Sequence, residues 1–145
     1  MVARVSTVAF QGIEVLDVDV QVQTTSGLPA FTIVGLPDGT IRESRDRILA
    51  ALSNSGFSLP IRKIVVTLAP APLRKIGSGF DLPIAIALLL SSGQLTSIPE
   101  SSLCLGELSL DGSLRHTNGI LPMVVVAREE GIQTVFVPSS DAREA

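Results

Sequence analysis

The sequence predicts an α/β (α+β) domain with helices packed on a mixed sheet. Three observations lead there. The first third alternates apolar and polar residues at strand period, as at Val18, Val20 and Val22. The remainder alternates β-rich runs with segments whose apolar residues recur at helical spacing. The chain has 145 residues, 46% hydrophobic and only 17% charged, enough for one core and too apolar for a disordered tail.

The elements follow in order. Val5–Phe10 is short and β-rich, and Gln11-Gly12 reads as a hairpin turn. Ile13–Gln23 returns with a change of phase, from Ile13 and Val15 to Val18, Val20 and Val22. A one-residue slip flips the faces of a strand, so a bulge is expected near Leu16-Asp17. Phe31–Val34 is a third strand, and Ala3–Leu36 is expected to form one antiparallel sheet. Asp38 as N-cap, or Thr40 with Glu43 as a capping box, starts a helix with Ile41, Ile48, Leu49 and Leu52 on one face. Arg42–Asp46 and Glu43–Arg47 are expected as i,i+4 pairs on its wet face, and Gly56 as its left-handed cap.

Lys63–Leu68 is a strand that stops before Pro70 and Pro72, which donate no ladder bond. The loop Arg74–Gly79 leads into a very apolar helix from about Asp81 to Ser91. Pro83 fits its first turn, and the lack of a polar face predicts burial. Leu103–Leu110 reads as a strand, Asp111-Gly112 as a two-residue turn and Ser113–Arg115 as the return. Ile120–Glu130 is a helix ended by Gly131, Thr134–Val137 a strand, and Ser139–Ala145 the start of a helix that these residues do not complete. One domain over residues 1–145, cut short of its last elements, is the expectation.

Composition excludes several classes. The single cysteine, Cys104, allows no intramolecular disulfide and suits a reducing cytoplasm. One histidine and one cysteine make a structural zinc site unexpected. The most apolar stretch, Leu82–Leu90, is too short to span a bilayer, and the N-terminus has no leader pattern, so no membrane partner is expected. The net charge is −3, so any nucleic-acid contact must come from a local patch. Without tryptophan or tyrosine there is no base-stacking platform.

Neither a P-loop nor a G-x-G-x-x-G fingerprint is present. Gly77-Ser78-Gly79 precedes a helix, where backbone N–H groups could cradle an anion beside Lys75, with Asp81 as a cap; a plain tight loop is the simpler reading. Arg62-Lys63 and Arg74-Lys75 are the candidates for a phosphate-facing edge, whereas Arg42, Arg45 and Arg47 interleave with acids and read as a salt-bridged face. Ser78 is a candidate nucleophile, but Lys75 lies three residues away in an exposed loop with no desolvating pocket. His116, beside Asn118, is far off in sequence, and no G-x-S-x-G elbow supports its pairing with Ser78. Cys104 reads as a buried cysteine and His116 as a solvated loop residue.

Three strings are more specific. They are Phe31–Asp38 (FTIVGLPD) with Arg42–Arg45 (RESR), Leu68–Ala71 (LAPA) with Lys75–Ala85 (KIGSGFDLPIA), and Gly106–Leu108 (GEL) with Gly119–Pro122 (GILP). Together they resemble the N-terminal domain of the ComM/YifB family of magnesium-chelatase-related AAA+ ATPases, over the whole chain. The resemblance makes Asp81, Pro83, Gly106, Glu107 and Gly119 motif positions of structural character. It also implies likeness to the proteolytic domain of Lon and the C-terminal domain of RadA, hence the fold of the ribosomal-protein domain 2.

Lon's Lys-Asp-Gly-Pro-Ser-Ala-Gly loop then matches Lys75–Asp81, which puts its nucleophilic serine on Gly79 and its catalytic lysine on Leu121. Neither residue can attack or accept a proton, so no catalytic residue is carried over. The resemblance implies one further helix and strand, then an AAA+ domain with a P-loop. ATP and magnesium belong to that domain, and no cofactor or metal is expected in this segment. The implied role is assembly or DNA engagement in a homo-hexameric ring ATPase of transformation or recombination. A residual serine hydrolase and a small-anion-binding domain are the alternatives.

Overall fold

Residues 63–69 form the strand around which the main sheet is built. The structure is a computed structural model that describes residues 2–59 and 61–143. The sheet has the order β1-β2-β4-β3, with β1 at Val2–Gln11, β2 at Glu14–Thr25, β3 at Ala30–Val34 and β4 at Lys63–Ala69. Strands β1 and β2 are an antiparallel hairpin closed by Gly12 and Ile13. Strand β4 then inserts between β2 and β3, antiparallel to β2 and parallel to β3. The expected all-antiparallel sheet over Ala3–Leu36 is therefore corrected: β3 never touches β2 in register. Ile64, Val66 and Leu68 of β4 share one face, and the strand's central position buries all three.

No bulge interrupts the hairpin, because Thr7 pairs with Val18, Val8 with Asp17, Ala9 with Leu16 and Phe10 with Val15 without a break. The phase change has another cause. Val5, Ala9, Val18, Val20 and Val22 face the main core, while Val8, Phe10 and Val15 face a second cluster with Leu103, Leu105, Ile120 and Met123. Near its turn the ribbon is covered on both faces, so apolar residues appear on both parities.

The main core lies between this sheet and two helices. Asp38 caps α1 (Gly39–Arg42) by accepting the Ile41 N–H at 2.9 Å, so the Asp38 cap is used rather than Thr40. After Glu43 the chain continues as α2 (Ser44–Asn54). Gly56 follows with positive φ, and the Phe57 N–H reaches the Leu52 carbonyl at 3.0 Å, closing a Schellman motif. Helix α3 (Asp81–Ser91) lies on β1 and β2 and is buried along most of its length. It is not long enough to cross a membrane, nor is any other helix of the described residues.

The expected strand Leu103–Leu110 is divided. Its first part, β5 (Ser102–Cys104), runs parallel to β8 (Thr134–Phe136), and its second, β6 (Glu107–Leu108), is antiparallel to β7 (Leu114–Arg115). At the break Gly106 leaves the ladder: its N–H donates to Gly79 O at 2.9 Å and its carbonyl accepts from Leu82 N at 3.0 Å. Five residues join β6 to β7, and Ser109 N donates to Ser113 O at 2.8 Å, so the turn itself has three residues, Leu110–Gly112, instead of the two expected. Helix α4 (Ile120–Glu129) carries the second cluster. A single 3-10 turn at Ser139–Asp141 stands where a helix was expected, and the rest of that expectation, Glu144 and Ala145, lies outside the described residues.

Candidate functional site at the glycine loop

The segment Gly77–Phe80 forms one wall of a hollow of about 300 Å³, whose other walls carry Phe10, Leu105, Glu107, His116, Thr117 and Asn118. Two hydrogen bonds set the loop. Asp38 accepts the Gly77 N–H at 3.2 Å, and Gly79 O accepts from Gly106. Gly79 is buried, and a β-carbon there would lie 2.7 Å from Leu105 Cδ1 and 3.0 Å from Leu105 Cγ. Leu121, on the first turn of α4, is 51% exposed and does not line this hollow.

The hollow holds one polar arrangement that sequence reasoning missed. The buried Asp141 carboxylate pairs with His116 Nδ1 and accepts the Thr117 N–H at 3.0 Å. Burial pushes this carboxyl up, but the bonds from Thr117 and His116 outweigh it and hold it below the ordinary range. Thr117 Oγ1 in turn accepts the Glu107 N–H at 3.0 Å. His116 and Ser78 thus line the same space, although they are far apart in sequence. Only the chain's return through α4 and β8 brings Asp141 to His116 and Thr117.

Asp81 does not cap α3. It is the first helical residue, fully buried, and its carboxylate accepts from Ser44 Oγ at 2.6 Å, Arg47 Nε at 2.7 Å, Arg47 Nη2 at 3.0 Å and Leu108 N at 3.1 Å. Three elements, α2, α3 and β6, are tied to one carboxylate. Arg47 still approaches Glu43, at 3.8 Å, but it is not the solvated residue expected: its bond to Asp81 raises its pKa against the opposing effect of burial. The available signal was that Arg47 lies beside Ile48 and one turn from Ser44, both fully buried.

The basic candidates are not gathered. Lys75 is fully buried, its ammonium bonded to Pro70 O, and burial lowers its pKa. Its backbone joins Leu36 and Asp38, 3.0 Å each way, so Lys75 is a structural tie and not a ligand-facing cation. Arg62 just before β4 and Lys63 as its first residue are exposed at one end of the strand, and Arg74 lies beyond the other; the seven residues of that strand span about 20 Å. Arg74 shares a hollow of about 280 Å³ with Arg42, and Arg42 and Arg45 line another of about 310 Å³ beside β3. Cys104 is buried as expected, which pushes its thiol pKa far up.

Comparison with known proteins agrees with the motif strings. The family described as subunit ChlI of Mg-chelatase matches residues 20–141. Protein YifB of Escherichia coli K12 is 42% identical over 139 residues, which is 94% of this chain and 27% of YifB. Competence protein ComM of Haemophilus influenzae is 39% identical over 138 residues, again 94% of this chain and 27% of the relative. An uncharacterized protein of Mycobacterium tuberculosis is 41% identical over 143 residues, 98% of this chain and 28% of that protein. The chain therefore spans little more than a quarter of these relatives. By a match covering most of its residues, it belongs to the magnesium-chelatase ChlI-related family that includes YifB and ComM.

Proposed function

We propose that this segment is a non-catalytic N-terminal domain that assembles a ring-forming, ComM-like AAA+ ATPase acting in DNA processing. The observation that carries it is the state of the glycine loop. Where the Lon resemblance places a nucleophile and a base stand Gly79 and Leu121, and Leu105 and Thr117 pack against the α-carbon side of Gly79. Neither residue supplies a nucleophile or proton acceptor. A competence protein among the relatives supports the DNA-processing setting. The family description invokes magnesium, but the described residues contain no group of three or more His, Cys, Asp or Glu side chains that could hold a metal, and no step here runs through one. Assembly is favoured over direct DNA engagement because Lys75 is buried and Arg62, Lys63 and Arg74 are dispersed.

The test uses the full-length protein. Light scattering with ATP should give rings, and deletion of this domain should lower their population. The triple variant Arg62→Glu, Lys63→Glu, Arg74→Glu should keep assembly. If that variant also loses oligonucleotide affinity and salt dependence, the domain engages DNA as well. If deletion changes neither assembly nor DNA binding, the reading fails.

A second reading, a serine hydrolase, is favoured by one observation: Ser78 and His116 line one hollow, and Asp141 holds His116 Nδ1 from outside that lining. A fluorophosphonate probe should then label the protein and not its Ser78→Ala variant. Absence of labelling under native conditions removes this reading.

A further inference from the structure

Strand β3 is bonded on one side only, to β4, and ends the sheet. An open edge is a template for another strand, and proteins ordinarily blunt it with proline, bulges or charges on the strand itself. Phe31–Val34 carries none of these. Its Phe31 and Ile33 pack toward the main core, while Thr32 and Val34 are exposed on the open face of the sheet. A hollow of about 310 Å³ runs along Phe31, Thr32 and Ile33, and Arg42 and Arg45 complete its lining. Both arginines are exposed, and neither joins an ion pair among the described residues. Arg47, on the same helical segment, is turned inward to Asp81.

We propose that the free edge of β3, together with Arg42 and Arg45, binds an extended acidic segment of a protein partner by strand addition. The backbone of the incoming segment would complete the ladder, and its side chains would alternate between the two faces. Those on the helix side meet the arginines. Acidic residues two apart in a strand are about 6–7 Å apart. Arg42 and Arg45 are three apart on a chain that stays helical through Glu43, which places their Cβ atoms about 5–6 Å apart. An acidic-x-acidic pattern therefore fits, with β-branched residues between to meet Thr32 and Val34. A second copy joined β3 to β3 about a twofold axis is disfavoured, because it would set the arginines of the two copies against each other. A nucleic acid would use the arginines but leave the N–H and C=O groups of the edge unmatched. The inference is independent of ring assembly, since it needs only the edge and its arginines.

The test titrates full-length protein with a labelled eight-residue peptide alternating glutamate and threonine. Controls are its lysine-threonine counterpart, the acidic peptide N-methylated at alternate amides, and a single-stranded oligonucleotide. Expected are binding of the acidic peptide, slowed exchange of the Phe31–Val34 amide hydrogens, and a loss of tenfold or more in Arg42→Glu/Arg45→Glu. The N-methylated peptide should bind at least tenfold more weakly. Equal binding of the N-methylated peptide overturns strand addition, and so does no measurable peptide binding. Binding of the oligonucleotide instead, with the same dependence on Arg42 and Arg45, overturns the proposal in favour of a nucleic-acid surface.

Discussion

Arg47 on α2 holds the buried carboxylate of Asp81 at the start of α3 with Nε at 2.7 Å and Nη2 at 3.0 Å. The two-pronged bond uses the guanidinium edge, which a lysine lacks. Ser44 and Leu108 complete the carboxylate's partners. Asp81→Ala leaves Arg47, Ser44 and the Leu108 N–H without their acceptor, and should cost about 3–5 kcal/mol, as for breaking a buried pair. Arg47→Lys should be less damaging than Asp81→Ala but clearly destabilising. Urea unfolding of the three proteins checks both statements.

Placing a serine at Gly79 of the glycine loop should not be silent. In Gly79→Ser the new Cβ meets the Leu105 side chain at 2.7 Å, inside the second cluster. Overpacking of this kind costs about 1–3 kcal/mol. The double variant Gly79→Ser/Leu105→Ala should unfold at higher urea than the sum of the two single changes predicts, since trimming Leu105 makes room. Additive losses would place the clash elsewhere.

Lys75 sets a dependence on alkaline pH. Its folded pKa is depressed by burial, below the ordinary lysine value of about 10.4. Between the two values the unfolded chain binds more protons, so stability rises with pH through that window. It is fully present above the unfolded value and lost as pH falls through the folded one. Chemical denaturation at stepped pH should show this rise in the native protein, and a flatter profile in Lys75→Met.

Glu130, which caps the C-terminus of α4, is raised in pKa mainly by the charge of Asp17 on β2, with a lesser push from desolvation. A raised carboxyl is unfavourable at neutral pH and gains stability as pH falls through its folded value. Glu130→Gln should therefore stabilise slightly at pH 7, and the gain should vanish in acid. Both groups are exposed, so added salt should erase much of the same difference. Thermal melts at two pH values and two salt concentrations read it out.

The sequence is legible where one residue decides locally. Asp38, Gly56, Pro83 and Gly131 mark the helix boundaries, and α3 announces itself by having no polar face. It is not legible where a distant element decides. Val15 looks out of phase only because α4, a hundred residues later, covers the back of the hairpin. Leu103–Leu110 reads as one strand because Gly106 gives no sign that its backbone bonds to Gly79 and Leu82. At the site, the glycines and Asp81 stood out from the strings, but neither the Arg47–Asp81 bond nor the Asp141–His116 pair leaves a local pattern. Lys75 misled because lysine is ordinarily a surface residue, and only the fold shows its ammonium closed in against Pro70.

The place of β4 between β2 and β3 bears on how the chain is made. The β1–β2 hairpin can zip as it leaves the ribosome, but its inner edge and the whole of β3 must wait until residues 63–69 emerge. For that interval the nascent chain exposes two apolar strand edges. A nascent chain stalled before Ala69 would be the most adhesive form of this protein and the first target for a holdase chaperone.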